Sequence, residues 1–341
     1  METDGNTRTI TQGRSLPGLY DIKKLWNPSW FQGNRRRGSY FEGWYFKIVS
    51  PCGRHSRAFI PGVSISSDDS HAFVQAIDGM TGQSWYFRFP LEGFSYSRNG
   101  FAVKIGRNRF SASHMELHLA GQGATFSGRL GFEGRVCYPA GLTRPGIMGW
   151  YRYMPFMECY HGVVSLDHEI LGGLELNGKE VRFSGGRGYI EKDWGTSMPS
   201  AWVWMQANHF ETRGTSFMLS VANIPWIGKS FTGFLGYFLH EGRRYDFATH
   251  TGARITRLEK HEGRILVGLQ GKGFRIEVGG LTGNTGALKA PVGGTMQRLI
   301  HESIDASLEV RLSDGAGKTL FRGTSRHAGL ELTGQTDTLR P

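Results

Sequence analysis

Residues 183–210 read FSGGRGYIEKDWGTSMPSAWVWMQANHF, and this stretch constrains the fold more than any other part of the chain. Its second half alternates as a β-strand does, so that Trp202, Trp204, Gln206 and Asn208 share one face. The odd-numbered positions of the same run are small and apolar, which suits packing in a core. The even-numbered face joins large aromatic rings to amides, which fits either the wall of a ligand cavity or a Trp-containing core.

A second stretch, GSYFEGWYFKIV at residues 38–49, places Tyr40, Glu42 and Trp44 on one strand face. A carboxylate among aromatic rings is costly to bury unless it is paired or protonated. Glu42 is therefore a candidate acid. Two alternatives fit the same pattern. The strand can lie at a sheet edge with Glu42 in solvent, or Glu42 can pair with one of the arginines at residues 35–37.

The rest of the chain consists of short apolar runs separated by glycine-containing turns, which predicts an all-β fold. Asn177-Gly178 between two such runs predicts a hairpin. Helical periodicity is poor, and the best candidates for the few short helices are Met148–Met157 and Thr295–Ser303. A length of 341 residues suits two domains. We predict a disordered tail over residues 1–20 and tandem antiparallel barrels or half-barrels over 21–195 and 196–335.

A formal charge of +11 favours anionic partners. The basic residues are dispersed and show no helix-turn-helix, RRM or zinc-finger spacing, so no nucleic-acid partner is expected. Weak attraction to an anionic membrane surface and a merely basic protein both fit this balance. The sequence does not indicate an oligomeric state.

Three cysteines without a CxxC motif indicate a reducing compartment. The N-terminus has no apolar leader, and no run reaches the length of a membrane span. The expected location is cytoplasmic, with an optional peripheral position at the inner face of a membrane.

Several kinds of chemistry lack their signatures. The chain has no G-x-S-x-G, no local cysteine-nucleophile motif and no phosphate-binding glycine loop. Among metal-binding residue types, His161, His168, Glu169 and His209 stand at no recognised ligand spacing, so no metal site is predicted.

Four motifs occur in a fixed order: YFEGWYFK at 40–47, ECYHGVVS at 158–165, GYIEKDWG at 188–195 followed by WVWMQANHF, and LKAP at 288–291. Together they resemble the tocopherol cyclase family over roughly Leu25 to Gly334. The resemblance implies a lipocalin-like β-barrel architecture. It also implies an activity that closes a chromanol ring on a prenylated hydroquinone. Asp193 stands where plant members have Asn, which favours Glu42 or Glu191 as a shared acid.

That reaction needs an acid to protonate an alkene, stabilisation of the tertiary cation, and a phenol oxygen positioned to capture it. A buried carboxyl can stay protonated near neutrality, aromatic faces attract cations, and a dry cavity excludes competing water. No cofactor is expected. The predicted acids are Glu42, Glu191 and Asp193. The predicted substrate contacts are Tyr40, Trp44, His161, Trp194, Trp202, Trp204, Gln206 and Asn208, with His161 and the two amides holding the hydroquinone hydroxyls.

Other interpretations stay open at this point. Glu191 and Asp193 can lie in a solvated turn or form a salt bridge with Lys192 or Arg187. The same aromatic cavity can serve a non-catalytic carrier of an apolar isoprenoid, or an acid-catalysed isoprenoid hydratase. An acidic residue facing the alkene favours an enzyme, whereas a pocket without a protonatable group favours a carrier.

Overall fold

The computed structural model describes residues 7–10, 18–36, 38–155, 157–226 and 228–339. Strands account for most of them. Helix α1 covers Leu19–Lys23, and the other helical turns in these ranges are short 3-10 segments. They span Lys24–Trp26, Leu91–Gly93, Gly149–Tyr153, Thr249–Thr251 and Thr336–Thr338. None of these described helices has the length and apolar character needed to cross a bilayer.

The first sheet is formed by thirteen strands from the N-terminal part of the chain. They are β1 Thr7–Thr9, β2 Tyr40–Val49, β3 Ser56–Ile65, β4 His71–Asp78, β5 Ser84–Pro90, β6 Phe94–Ser97, β7 Ala102–Ile105, β8 Asn108–Ser111, β9 His114–Gly121, β10 Ala124–Val136, β11 Cys159–Leu176, β12 Lys179–Arg182 and β13 Arg187–Gly195.

The second sheet is formed by the ten strands that follow. They are β14 Trp202–Ala207, β15 Ser216–Trp226, β16 Lys229–His240, β17 Arg243–Ala248, β18 Arg254–His261, β19 Arg264–Gly271, β20 Phe274–Leu281, β21 Thr285–Val292, β22 Thr295–Asp314 and β23 Thr319–Thr333.

Neighbouring strands of the first sheet follow the order β1-β6-β7-β8-β9-β10-β11-β13-β2-β3-β4-β5, with β12 beside β11. In the second sheet the order is β17-β16-β15-β14-β23-β22-β20-β19-β18, with β21 beside β22. The pairings are antiparallel. Because the two ends of each order do not pair among the described strands, the sheets are open. The predicted all-β class with two lipocalin-like units is confirmed in its half-barrel form.

The chain changes sheet between Gly195 and Trp202. Gly195 has a φ of +151°, and a Cβ there would collide with the carbonyl oxygen of Glu158, so glycine is required where the chain leaves β13. The division into domains at 195/196 stays a prediction. Within the predicted tail, Thr7–Thr9 pair with β6, whereas residues 1–6 and 11–17 lie outside the described ranges.

Local sequence signals succeed at one turn and fail at one strand. Asn177 and Gly178 both have positive φ and join β11 to β12, as the hairpin signal predicts. The helix predicted over Thr295–Ser303 is wrong, because these residues are the first part of β22. They pair with β21, a contact that a local pattern does not contain.

Strands β2, β13 and β14 are buried on both faces. One face of β2 and β13 points into an aromatic core inside the first half-barrel, which includes Trp44, Phe46 and Ile190. On β14, the small face with Val203 and Met205 belongs to the core of the second half-barrel. The remaining faces of the three strands meet between the sheets, so the centre of the molecule is an interface of two sheets.

Polar contacts tie the two sheets together. Lys47 Nζ of β2 donates to Gln206 Oε1 of β14 at 2.8 Å, and Ser64 Oγ of β3 donates to the carbonyl oxygen of Gly294 at 2.6 Å. Both Lys47 and Gln206 are buried. These contacts fix the position of one sheet against the other and therefore the shape of the space between them.

A fully buried ion pair lies in the first half-barrel. Lys192 Nζ of β13 is 2.5 Å from Glu42 Oε1 of β2. The Glu42 carboxylate also accepts the backbone N–H groups of Gln32 and Gly33 at 2.9–3.0 Å and the hydroxyl of Tyr40 at 2.5 Å. This carboxylate is therefore surrounded by donors, which offsets the cost of burying its charge.

The ammonium group of Lys192 also has hydrogen-bond partners around it, as the Glu42 carboxylate does. Its Nζ donates to the carbonyl oxygens of Pro28 and Trp30 at 2.9 and 2.5 Å. It also lies 4.9 Å from the ring centroid of Trp44 and 4.6 Å from that of Trp194. The pair thus joins β2, β13 and residues 28–33 into one unit.

We expect the variant Glu42→Gln to lose about 3–5 kcal/mol of unfolding free energy, because it leaves the buried charge of Lys192 unpaired. Urea denaturation measures this loss. The matched control is Glu309→Gln, which breaks the exposed ion pair with Arg322 and should leave the unfolding midpoint unchanged. Equal midpoints for Glu42→Gln and the wild type would contradict a structural role for Glu42.

Candidate active site

A cavity lies between the two sheets, with a volume of about 1120 Å³ including the space at its open side. Most of its wall is apolar, and the sulfur of Cys159 also borders it. The larger apolar and aromatic side chains of the wall are Phe41, Tyr45, Ile60, Phe73, Met148, Met157, Met198, Trp202, Trp204, Ile224, Leu235, Leu288, Met296 and Ile300. A cavity with this lining suits an apolar ligand.

A cluster of three ionisable side chains interrupts this apolar wall. His161 of β11 lies between Glu191 and Asp193 of β13, since Asp193 is paired with His161 in the sheet register. His161 Nδ1 is 2.8 Å from Asp193 Oδ1, and Nε2 is 3.4 Å from Glu191 Oε2. Glu191 also accepts hydrogen bonds from the Tyr189 hydroxyl at 2.6 Å and from Trp204 Nε1 at 3.2 Å.

Burial and neighbouring charges set the protonation of this cluster. Burial raises the pKa of Glu191 to about 7, although the positive charge of His161 acts in the opposite direction. Burial alone would lower the pKa of His161, but the carboxylates of Asp193 and Glu191 raise it to about 9. At neutral pH the cluster therefore holds an imidazolium beside a carboxyl that titrates near neutrality.

The same three residues offer ligand atoms within 4.8 Å of one another, which is close enough for one metal ion. The prediction of no metal site rested on sequence spacing, which does not contain this juxtaposition. A histidine ligand needs a free nitrogen lone pair. Here both ring nitrogens face carboxylates, so the same geometry also suits an imidazolium held between two acids.

Two further carboxyl groups reach the cavity from the second sheet. Glu302 of β22 and Glu331 of β23 are paired across adjacent strands and both line the cavity. The hydroxyl of Tyr45 donates to Glu302 Oε1, and Trp202 Nε1 donates to Glu331 Oε2 at 2.5 Å. Removal from water raises the pKa of both carboxyls, that of Glu331 to about 7.

Of the residues predicted from the sequence, five line the cavity. They are Glu191, Asp193, His161, Trp202 and Trp204. Two strands of the first sheet and β14 bring them together. Their predicted roles as acids and substrate contacts stay predictions.

Four other predicted residues lie on the opposite face of the first sheet. Tyr40, Glu42, Trp44 and Trp194 surround Lys192 inside the half-barrel and are not part of the cavity wall. The alternation of β2 is as predicted, but its odd-numbered face meets the cavity. Glu42 pairs with Lys192, and Arg37, one of its suggested partners, lies outside the described residues.

Gln206 and Asn208 lie between the sheets but beyond the cavity wall. Gln206 accepts the hydrogen bond from Lys47, and Asn208 Nδ2 donates to Asp167 Oδ1 at 3.1 Å and to the carbonyl oxygen of Gly188 at 3.0 Å. Their amides are thus engaged in holding the two sheets together, which leaves His161 as the predicted hydroxyl contact that borders the cavity.

Sequence reasoning missed Tyr45, Glu302 and Glu331. Tyr45 faces the cavity because it is paired with Glu191 in the register of β2 and β13. Glu331 alternates with Leu330 and Leu332, a pattern that normally places the charge in solvent. The solvent side of this strand is instead covered by the first sheet.

A second apolar cavity of about 440 Å³ continues from the first. Met148, Met157, Ser220, Ala222, Ile224 and Leu235 border both. The second space extends beyond them to Tyr151, Phe231 and Phe234. The acidic groups line the larger of the two spaces.

We expect His161 to be protonated at pH 7.5, because its pKa is raised to about 9, and to lose its proton only as the pH rises through that value. Nitrogen-15 NMR of labelled imidazoles distinguishes the two forms. The internal control is His168, whose pKa burial lowers to about 3, so that it stays neutral throughout. Asp193→Asn removes a neighbouring negative charge and should shift the His161 transition to lower pH. An unchanged transition would show that Asp193 does not hold the charge.

Comparison with known proteins places this site in a family. A protein of Oryza sativa subsp. japonica described as "Probable tocopherol cyclase, chloroplastic" is 28% identical over 201 residues, which cover 54% of this chain and 42% of the rice protein. The chain therefore matches less than half the length of that relative. The "Tocopherol cyclase, chloroplastic" of Zea mays is 26% identical over 371 residues, covering 89% of this chain and 76% of the maize protein.

The fold also has a similar solved structure. The crystal structure of CghA superposes with a TM-score of 0.57 at 11% identity, covering 96% of this chain and 95% of CghA. At this identity the likeness concerns the fold alone. The sequence model of the family described as "Tocopherol cyclase-like" matches residues 134–334, which include β13, β14 and the acidic residues of the cavity. That match spans more than half of the chain, which therefore belongs to the tocopherol cyclase-like family.

Proposed function

We propose that this protein closes a chromanol ring on a prenylated hydroquinone, with Glu191 as the acid that protonates the alkene. The observation that carries the proposal is a buried carboxyl with a pKa near 7 in the wall of an apolar, aromatic cavity. A carboxyl that is partly protonated at neutral pH can donate a proton to a substrate held in that cavity.

His161 and Asp193 support Glu191 in this step. The imidazolium lies 3.4 Å from Glu191, and its positive charge favours the carboxylate that forms when the proton leaves. Asp193 holds the imidazolium through the 2.8 Å contact to Nδ1. In this proposal Asp193 orients and charges the histidine, and it does not itself transfer the proton.

The cavity wall supplies the other two requirements. The rings of Trp204 and Tyr45 lie 5.4 Å apart, centroid to centroid, next to the acidic cluster. Their faces stabilise a tertiary cation formed beside them. The apolar side chains exclude water, so the cation is captured by the phenol oxygen of the same molecule.

The second cavity takes the remainder of the isoprenoid tail. The junction between the two spaces is lined by small and flexible side chains, among them Ser220, Ala222 and Met157. A hydroquinone head in the larger space and a tail in the narrower one place the first alkene of the tail near Glu191. This orientation is the one that ring closure requires.

We expect Glu191→Gln to lower the rate of chromanol formation on the order of a hundredfold or more, because the amide has no acidic proton to deliver. The assay uses a prenylated hydroquinone in deuterated water. The wild-type product should carry solvent deuterium on the methylene next to the new quaternary carbon. Glu180→Gln, at an exposed position of β12, is the matched control and should keep the full rate.

The dependence of the rate of chromanol formation on pH is a second test of Glu191 as the acid. The reactive form of Glu191 is protonated and its pKa is near 7, so the wild-type rate should fall as the pH rises above that value. Full activity of Glu191→Gln would contradict the proposal. Saturable binding without any product would indicate a carrier, and a tertiary alcohol as the product would indicate a hydratase.

We expect Ala222→Phe to discriminate between tails of different length. The added ring narrows the junction of the two cavities, so KM should rise for a hydroquinone with a long isoprenoid tail and change little for one with a single isoprene unit. Steady-state kinetics with both substrates measures the difference. Ala102→Phe, at an exposed position of β7, is the control. Equal effects on both substrates would place the tail elsewhere.

A further inference from the structure

The cavity contains a second acidic centre, built from Glu302 and Glu331 on adjacent strands. The two residues are direct cross-strand partners, and both are buried in the cavity wall. Two ionised carboxylates side by side in a buried site would repel each other. Burial and nearby negative charges raise the pKa of both carboxyls, so the pair holds one proton and carries one negative charge near neutral pH.

The protein supplies hydrogen-bond donors to only some of the oxygens of this pair. Tyr45 and Trp202 each donate one hydrogen bond to it. Glu302 is fully buried, yet its Oε2 receives no hydrogen bond from any described residue. A buried acceptor without a donor costs free energy, unless a ligand brings the donor. The pair thus presents negative charge and an open acceptor to whatever occupies the cavity.

Charged groups of both sheets act on the pair. Burial and the negative charges of Glu331 and Glu191 raise the pKa of Glu302, whereas the charge of buried Lys47 acts in the opposite direction. Burial in turn lowers the pKa of Lys47 to about 7, so this residue is only partly protonated at neutral pH. Lys47 gives its own hydrogen bond to Gln206. In its protonated form it stabilises one negative charge on the pair without direct contact.

Ring closure moves two protons at two different positions of the substrate. The alkene gains a proton from Glu191 as a C–H bond forms. The phenol loses one, since its O–H bond breaks while its oxygen forms a C–O bond to the tertiary carbon. No electrons are gained or lost overall. An acceptor for the phenolic proton, separate from the newly formed Glu191 carboxylate, allows both transfers to occur in one bound geometry.

We propose that the Glu302–Glu331 pair is this acceptor, and this inference rests on the function proposed above. The phenol O–H donates to the open oxygen of Glu302 in the bound substrate. As the C–O bond forms, its proton passes to the pair, which changes from one proton to two. Exchange with solvent then returns a proton to Glu191 and removes one from the pair. The first sheet thus supplies the acid, and the second sheet supplies the base.

The test uses three variants of the pair: Glu302→Gln, Glu331→Gln and the double variant that carries both changes. Each is compared with Glu191→Gln in deuterated water. Two quantities are measured: chromanol formed, and deuterium in recovered substrate or its alkene isomers. Loss of the base should lower chromanol formation on the order of ten- to a hundredfold. Deuterium should still enter recovered alkene, because Glu191 still forms the cation and the cation returns to alkene. Glu191→Gln should abolish both signals.

Thermal unfolding of each variant checks that it is folded. A measurement on the wild type keeps the inference testable if the variants unfold. Tryptophan fluorescence, with Trp202 in contact with Glu331, should report tighter binding of the free hydroquinone than of the ether in which the reacting hydroxyl is methylated. The ether keeps the shape of the ligand but cannot donate to Glu302.

The outcomes separate the two proposals. Wild-type protein that forms no chromanol overturns the proposed function. Active wild type with glutamine variants at the full rate overturns the pair as acceptor. Parallel loss of chromanol and of deuterium in those folded variants also overturns it, because the pair would then be needed for alkene protonation. Equal affinity for hydroquinone and ether contradicts the open acceptor.

Discussion

The buried ion pair between Lys192 and Glu42 fixes the register of the two strands on which the site depends. Both charges lie inside the first half-barrel with essentially complete sets of hydrogen-bond partners. Side chains alternate along a strand, so a shift of one residue would move every side chain to the other face. With Lys192 held inward, Glu191 and Asp193 must point outward, towards the second sheet. The ion pair on the inner face of the sheet thereby places the ionisable groups of Glu191 and Asp193 on the outer face.

The two faces of the first sheet treat charge in opposite ways. On the inner face, Glu42 is matched with a full cation and several donors, which is the arrangement that makes a buried charge tolerable. On the outer face, the cavity holds several carboxyls with fewer donors between them. Burial therefore raises the pKa of Glu191 and Glu331 to about 7. The cost of burying a carboxylate is thus offset by a cation and donors at Glu42, where the group supports the fold. It is only partly offset in the cavity, where proton transfer is proposed.

The cavity lies where the two sheets cover each other. Each half-barrel packs its core on one face of its sheet, and the opposite faces of the two sheets meet around the cavity. Side chains distant in the sequence then meet, as Tyr45 and Glu302 do across 257 positions. Ser64 and Gly294 contact each other in the same way. Groups from two independent sheets can be placed around one ligand, which gives the proposed cyclisation separate positions for a proton donor and a proton acceptor.

Features that depend on residues near one another in the chain are readable from the amino-acid sequence: the strand alternation, the Asn177-Gly178 hairpin, the all-β class and the family motifs. The same patterns also indicated Glu191, Asp193, His161, Trp202 and Trp204, which meet in one cavity. Which face of each strand meets the other sheet depends instead on long-range packing. Aromatic residues at Tyr40, Trp44 and Trp194 suggested a cavity, but a half-barrel core uses the same residue types. Glu302 and Glu331 became part of the site only through packing, since a charge alternating with apolar residues suits solvent equally well. An alternating strand pattern shows that the two faces of a strand differ. Which of them faces the half-barrel core and which faces the other sheet depends on long-range contacts.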